Sequence, residues 1–237
     1  MNNSQTKRHG LSKSRILLHR QCPKRLWLKV HCPELEKIDD DNQARFATGT
    51  YVGEVAQQLY PDGVLIDGDD LSRAVIDTQT ILAGDKRPIF EATFQADGVL
   101  IRADLLLPSP QESPLSNSLP LAGERTNEKS NLHSYRMVEV KSSTSVKDYH
   151  LTDAAIQSWV AQQANLPLTS VEIAHIDNSF VYPGGGDYQG LFHYTDISEQ
   201  ITGMKAEVPI WMVLHQMHCE ISRNVREFRF SNTPMPS

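Results

Sequence analysis

The most restrictive local signal in the chain is the dipeptide Asp97-Gly98, which stands between two runs of strand-forming residues, Pro88 to Phe94 and Val99 to Leu107. A two-residue Asp-Gly connection favours the tight turn whose twist matches that of paired strands, so the two runs are expected to fold back as an antiparallel hairpin. In the first run Phe90, Ala92 and Phe94 alternate with Ile89, Glu91 and Thr93. The second carries Arg102 and Asp104 inside an otherwise apolar sequence. A carboxylate there is costly unless it is paired or bound to a metal. A third run, Arg136 to Ser143, also reads as a strand. Side chains alternate along a strand, which puts Glu139 and Lys141 on one face and Val138 and Val140 on the other. A carboxylate beside an ammonium at a strand end suits metal-dependent phosphodiester hydrolysis. On its own, Glu-x-Lys more often marks a solvated cross-strand charge pair.

Helical periodicity surrounds these strands. Ala44 to Tyr60 repeats Val52, Val55, Ala56 and Leu59 at helical spacing, and its Gly49 and Gly53 weaken it unless something packs closely. Glu54 projects from this helix toward solvent or into a site. Asp70 to Leu82 is expected to be a second amphipathic helix. After a loop over Ser142 to His150, a helix is expected from Asp153 through Ala164, carrying Gln157 either at the surface or against a site carboxylate or phosphate. Val171 to Tyr182 and Leu191 to Tyr194 read as strands, and Ile201 to about Phe228 as a helix. His215, His218 and Cys219 share that last segment, but without a second ligand cluster they read as core and surface residues.

Between Pro108 and Ser134 the hydrophobic period disappears and Pro, Ser, Asn and Gly take over. This is the composition of a flexible insertion joining two strands of one sheet, long in sequence and short in space. Residues 1–10 read as a disordered tail and 229–237 as a frayed one. From Leu11, the cations Lys13, Arg15, Arg20, Lys24, Arg25 and Lys29 interleave with apolar residues. They form either a solvated helix face or an arm that contacts phosphates without sequence preference.

The 237 residues suffice for one sizeable domain with appendages, and 39% hydrophobic with 22% charged residues is ordinary for a globular protein. A net charge of −6 excludes a wholly basic nucleic-acid-coating protein, though not a local basic groove. Three scattered cysteines, Cys22, Cys32 and Cys219, make no disulfide framework and point to a reducing compartment. No apolar run is long enough to span a bilayer and the polar start is no signal peptide, so the expected location is the cytoplasm, with no membrane partner.

A helix with Glu54, a strand pair with Asp104, a strand with Glu139 and Lys141, and a helix with Gln157 follow one another in an order that resembles the PD-(D/E)XK nuclease superfamily. More narrowly, the chain is similar to the RecB-like branch, which includes the CRISPR-associated adaptation exonucleases and an uncharacterised bacterial family with the same nuclease core. The motifs that carry the resemblance are Leu11-Ser12-Lys13-Ser14, Cys22-Pro23-Lys24-Arg25-Leu26-Trp27, Thr48-Gly49 with Gly53-Glu54, Val138-Glu139-Val140-Lys141 and Asp153-x-x-x-Gln157. It runs from about Leu11 to Ile197.

The resemblance implies an α/β fold with a restriction-endonuclease-like core, a mixed central sheet flanked by helices and a disordered insertion at 108–134. It implies a nuclease domain over residues 11–200, followed at 201–237 by a C-terminal helix and frayed tail that read as a shortened form of a longer architecture. Glu54, Asp104, Glu139 and the Val140 carbonyl would hold Mg²⁺ or Mn²⁺. Lys141 would be the catalytic lysine, with Gln157 matching the glutamine of the branch's Gln-x-x-x-Tyr helix. Residue 161 is Ala where that pattern has Tyr, and Trp159 is the nearest aromatic. Asp97 is the other candidate for the place of Asp104. Basic residues Lys13, Arg15, Lys24 and Arg25 would follow a DNA backbone, single- or double-stranded. Relatives of this kind often hold an iron–sulfur cluster on four cysteines; three thiolates cannot supply that site, so no cluster is expected. The implied activity is metal-dependent cleavage of DNA, by an exonuclease, in repair or phage defence. The alternative is an inactive or shortened nucleic-acid-binding module of such a complex, and neither reading names a protein partner.

Overall fold

A computed structural model describes residues 11–35, 40–84, 86–109 and 134–214. Its centre is a seven-stranded mixed sheet. The hairpin is β3 (Ile89–Ala96) and β4 (Val99–Pro108), antiparallel, with Ala96 opposite Val99. Asp97 and Gly98 both take positive φ, 48° and 76°, as a tight hairpin turn demands. On one side of the hairpin, β2 (Val64–Leu65) lies parallel to β3. On the other, β5 (Tyr135–Lys141) runs antiparallel to β4, β6 (Leu168–Ile176) parallel to β5, and β7 (Phe192–Asp196) antiparallel to β6. The short β1 (Leu11–Ser12) lies parallel to β4 at Val99 and Leu100.

Helices cover both faces. Core residues of α1 (Lys13–Gln21), α4 (Leu71–Leu82), α5 (Asp148–Gln163) and a helix α6 at 202–214 cluster with Ile101, Ala103 and Met137 on one face. Val52, Val55 and Ala56 of α3 (Asp40–Gln58) cluster with Phe90, Leu105 and Val138 on the other. Between α1 and α3, α2 (Pro23–His31) begins with Pro23 at the first helical position, where a missing N–H does no harm. Asp70 caps α4 by accepting from the Ser72 and Arg73 amides at 3.0 and 3.1 Å.

The α/β architecture is the expected one, with differences at the edges of elements. The 142–150 stretch is not all loop: α5 starts at Asp148, and the Lys147 amide donates to His150 Nδ1 at 3.2 Å, one turn inside the helix. Strand β6 stops at Ile176, since Asp177 turns the chain by accepting from the Ser179 amide at 2.8 Å. At the mouth of the expected insertion the Ser109 amide donates to the Ser134 carbonyl at 2.9 Å, so the two ends meet; residues 110–133 lie outside the described residues. So do the expected tails, Cys219, and the C-terminal helix beyond residue 214.

Two irregularities place the site. Pairing of β4 with β5 runs from Pro108 and Tyr135 only as far as Leu105 and Val138, after which the strands part at Asp104 and Glu139. At the same level the alternation of faces breaks in both hairpin strands. Ala103 packs in one core cluster and Leu105 in the other, as do Ala92 and Phe90. Glu91, between the last two, takes a left-handed φ of 54°.

A candidate active site at the fork between two strands

Glu139 and Lys141 leave β5 on the same face, two residues apart, and the Lys141 ammonium donates to Glu139 Oε1 at 2.6 Å. Both therefore sit where strand alternation puts them. The second carboxylate oxygen, Oε2, accepts a short hydrogen bond from Gln157 Nε2 on α5. Glu139 is 4% exposed and Gln157 1%. Asp153 lies one turn before Gln157, also inward, and accepts from Lys141 on Oδ2 at 2.9 Å. Its Oδ1 faces Lys13 Nζ at 2.9 Å, and Lys13 reaches Glu139 Oε1 at 3.4 Å. Two carboxylates and two ammoniums thus alternate in one small volume.

Asp104 stands across the fork. Its Oδ2 accepts the Val140 amide at 2.8 Å, replacing the ladder bond that β4 no longer supplies. Asp104 also lines a cavity of about 340 Å³ on the α3 side of the sheet, with Glu54 and Thr50 of α3, Glu91, Arg102 and Val140. Arg102 fixes the cavity wall by donating to the carbonyls of Ile66 and Gly68 at 3.3 and 3.1 Å.

Charge follows burial. Burial, then the Glu139 charge, pushes the Asp104 carboxyl up to about 8, against the pull of Lys13, Lys141 and the Val140 amide. Burial also raises Glu91, with Arg102 opposing. For Asp153 burial acts upward but is overcome by Lys13 and Lys141, which hold it below the ordinary carboxylate range. Burial would lower both lysines; Glu139, Asp153 and Asp104 together hold them above their ordinary values. His150, 1% exposed, is driven down to about 4 by burial, then by Lys141 and Lys147, and is neutral near pH 7.

The fold therefore gathers Asp104, Glu139, Val140, Lys141 and Gln157 at the fork and sets Glu54 in the adjoining cavity. Asp97 is in the hairpin turn and exposed, whereas Asp104 is half-buried at the fork and accepts the Val140 amide. The four basic residues divide. Lys24 and Arg25 are exposed on α2, Arg25 donating to Gln21 at 2.7 Å, and Arg15 is half-buried. Lys13 turns inward to the carboxylates. Three acidic or basic contributions escape a linear reading: Asp153, Glu91 and the inward aim of Lys13. Asp153 had a signal, an acid four residues before Gln157 in a helix whose neighbours are Ala154, Ala155 and Ile156. Glu91 had one too: counting outward from the Asp97-Gly98 turn puts it opposite Asp104, as the pairing of Ala92 with Ala103 bears out.

The donor set suits a hard divalent cation: carboxylate oxygens, plus Gln157 Oε1, buried without a hydrogen-bond partner among the described residues. Among the described residues, however, no three His, Cys, Asp or Glu side chains converge as a ready-made cage. Glu139 instead gives both oxygens to Lys13, Lys141 and Gln157. Among the described residues no helix is long and apolar enough to cross a membrane.

No family model and no curated protein matches the chain. Among solved structures, one described as "Crystal structure of SSO0001" is similar at 12% identity and a TM-score of 0.35, over 84% of this chain and 75% of that one. A likeness of that degree carries no argument about this chain.

Proposed function

We propose that the chain is a divalent-metal-dependent nuclease that hydrolyses DNA phosphodiester bonds. The observation that carries the reading is the fork itself: Asp104, Glu139, Lys141 and Gln157 come from β4, β5 and α5 to one partly buried point beside an open cavity. Asp104 and Glu139, with the Val140 carbonyl and Glu54, would hold Mg²⁺ or Mn²⁺, which when bound supplies Lewis acidity and a more acidic water. Lys141, held charged between Glu139 and Asp153, orients that water or meets the charge growing on the phosphate. Gln157 fixes the plane of the Glu139 carboxylate. Exposed Lys24 and Arg25 meet the nucleic-acid backbone. The reading includes no iron–sulfur cluster, since three cysteines fall one short of four thiolates.

A second reading, a nucleic-acid-binding module without catalysis, is favoured by one observation: the charges of Glu139 and Asp153 are already met by two lysines. Turnover separates the two. Purified protein is incubated with end-labelled single- and double-stranded DNA in Mn²⁺ or in EDTA, beside Glu139→Gln. The isosteric amide is the right variant, because truncation would also remove the acceptor of Gln157 and leave Lys13 and Lys141 to Asp153 alone. The nuclease reading expects Mn²⁺-dependent products from wild type that fall by roughly 100-fold or more in the variant. Binding without products favours the module.

A further inference from the structure

Lys13 precedes Glu139 by more than half the chain, yet its ammonium touches both carboxylates of the cluster. The contact is built in. Leu11 and Ser12 are paired to Val99 and Leu100, which fixes the backbone just before Lys13. Ile16, 0% exposed, anchors the first turn of α1 in the core just after it. Between these two restraints only the side chain is free to move, and it is 23% exposed, so a path to solvent exists.

The pattern of acceptors gives this lysine a role different from that of Lys141. Lys141 takes Glu139 Oε1 at 2.6 Å and Asp153 Oδ2 at 2.9 Å, both direct contacts. Lys13 holds Asp153 Oδ1 at 2.9 Å and shares Glu139 Oε1 at the longer 3.4 Å. Glu139 Oε1 is thus oversubscribed, and Lys13 is the more weakly held of its two cations. It is also a cation lying where positive charge would have to enter if Glu139 were to take a metal. We propose that Lys13 is a resident counter-cation of the site, which balances Glu139 and Asp153 in the metal-free protein and sets the affinity for a divalent ion by competing with it for Glu139 Oε1. The inference rests on the metal-dependent reading above. A like charge this close opposes a second cation strongly when water is partly excluded. Once released, the ammonium stays tethered within a side chain's length of the cluster.

The test is Mn²⁺ binding by calorimetry, with thermal melting alongside, for wild type, Lys13→Met, Lys13→Gln and Lys13→Arg of the full chain. Removing the cation should lower the melting temperature of the metal-free protein, since Asp153 loses a partner. It should also tighten the Kd for Mn²⁺ by about tenfold or more, and Mn²⁺ should restore more melting temperature to Lys13→Met than it adds to wild type. Lys13→Gln covers the case in which Met fails to fold, and Lys13→Arg, still a cation, should not tighten binding. A merely structural lysine would give destabilised variants whose Mn²⁺ affinity is unchanged or weaker. That result overturns the inference and leaves the nuclease reading standing, provided wild type binds. Absence of Mn²⁺ binding by wild type and variants alike overturns both.

Discussion

Asp104 is the residue whose chemistry depends most on its surroundings. It stands in a strand between Ala103 and Leu105, both fully buried, and answers the amide of Val140 because β5 has left the ladder. Burial and the neighbouring Glu139 raise its carboxyl to about 8. Between the ordinary value of 3.8 and about 8, the folded protein keeps a proton that the unfolded chain has lost, so stability falls as pH rises through that window. In EDTA, denaturant unfolding of wild type should show this decline from about pH 5 to about pH 8. Asp104→Asn, which keeps an acceptor for Val140 but cannot ionise, should lose most of it. A variant that declines as steeply as wild type would mean that another group carries the linkage. The need of Asp104 for a partner was legible in the sequence as a charge in an apolar run. The partner itself, a backbone amide freed by strand divergence, was not, because it arises from pairing between segments 36 residues apart.

Elements differ in how far local signals determine them. The β3–β4 hairpin follows from Asp97-Gly98 alone, and its register also sets Glu91 opposite Asp104. The turn needs the backbone freedom of Gly98, whose φ is 76°; a Cβ there meets no atom within 4 Å, so the penalty is conformational and not steric. Gly98→Ala should cost about 1 kcal/mol in denaturant unfolding, and a cost near zero would contradict the turn geometry. The start of α5 was less legible. Ser142 to His150 reads as loop, and Lys147 is an unusual residue to precede a helix. What starts the helix early is His150, whose Nδ1 accepts the Lys147 amide from inside the first turn. Alternation on β5 placed Glu139 and Lys141 together, and Gln157 fell against Glu139 as one of its two sequence readings allowed. Lys13 read as part of a basic arm, because nothing local shows that β1 pairs with β4 and so holds the start of α1 beside the site.

At the scale of the whole molecule, a chain of net charge −6 brings the buried carboxylates of Glu139 and Asp153 together with two lysines at one fork in its sheet. Lys13 and Lys141 balance Glu139 and Asp153, Asp104 and Val140 line a cavity beside α3, and Lys24 and Arg25 of α2 are exposed. Removing either carboxylate outright would leave two half-buried ammoniums sharing the other, a loss of up to about 3 kcal/mol, so variants of this site must preserve shape to report on chemistry. Lys141 is the exception worth making, since its two carboxylate partners keep Lys13. The measurement that bears most directly on the proposed nuclease activity is single-turnover cleavage of end-labelled DNA in Mn²⁺ by wild type and by Lys141→Ala, with circular dichroism showing both folded. If Lys141 acts in hydrolysis, Mn²⁺-dependent cleavage falls by roughly 100-fold or more in the variant. Equal cleavage by the two proteins, or a folded wild type that leaves both DNA substrates intact, would contradict it.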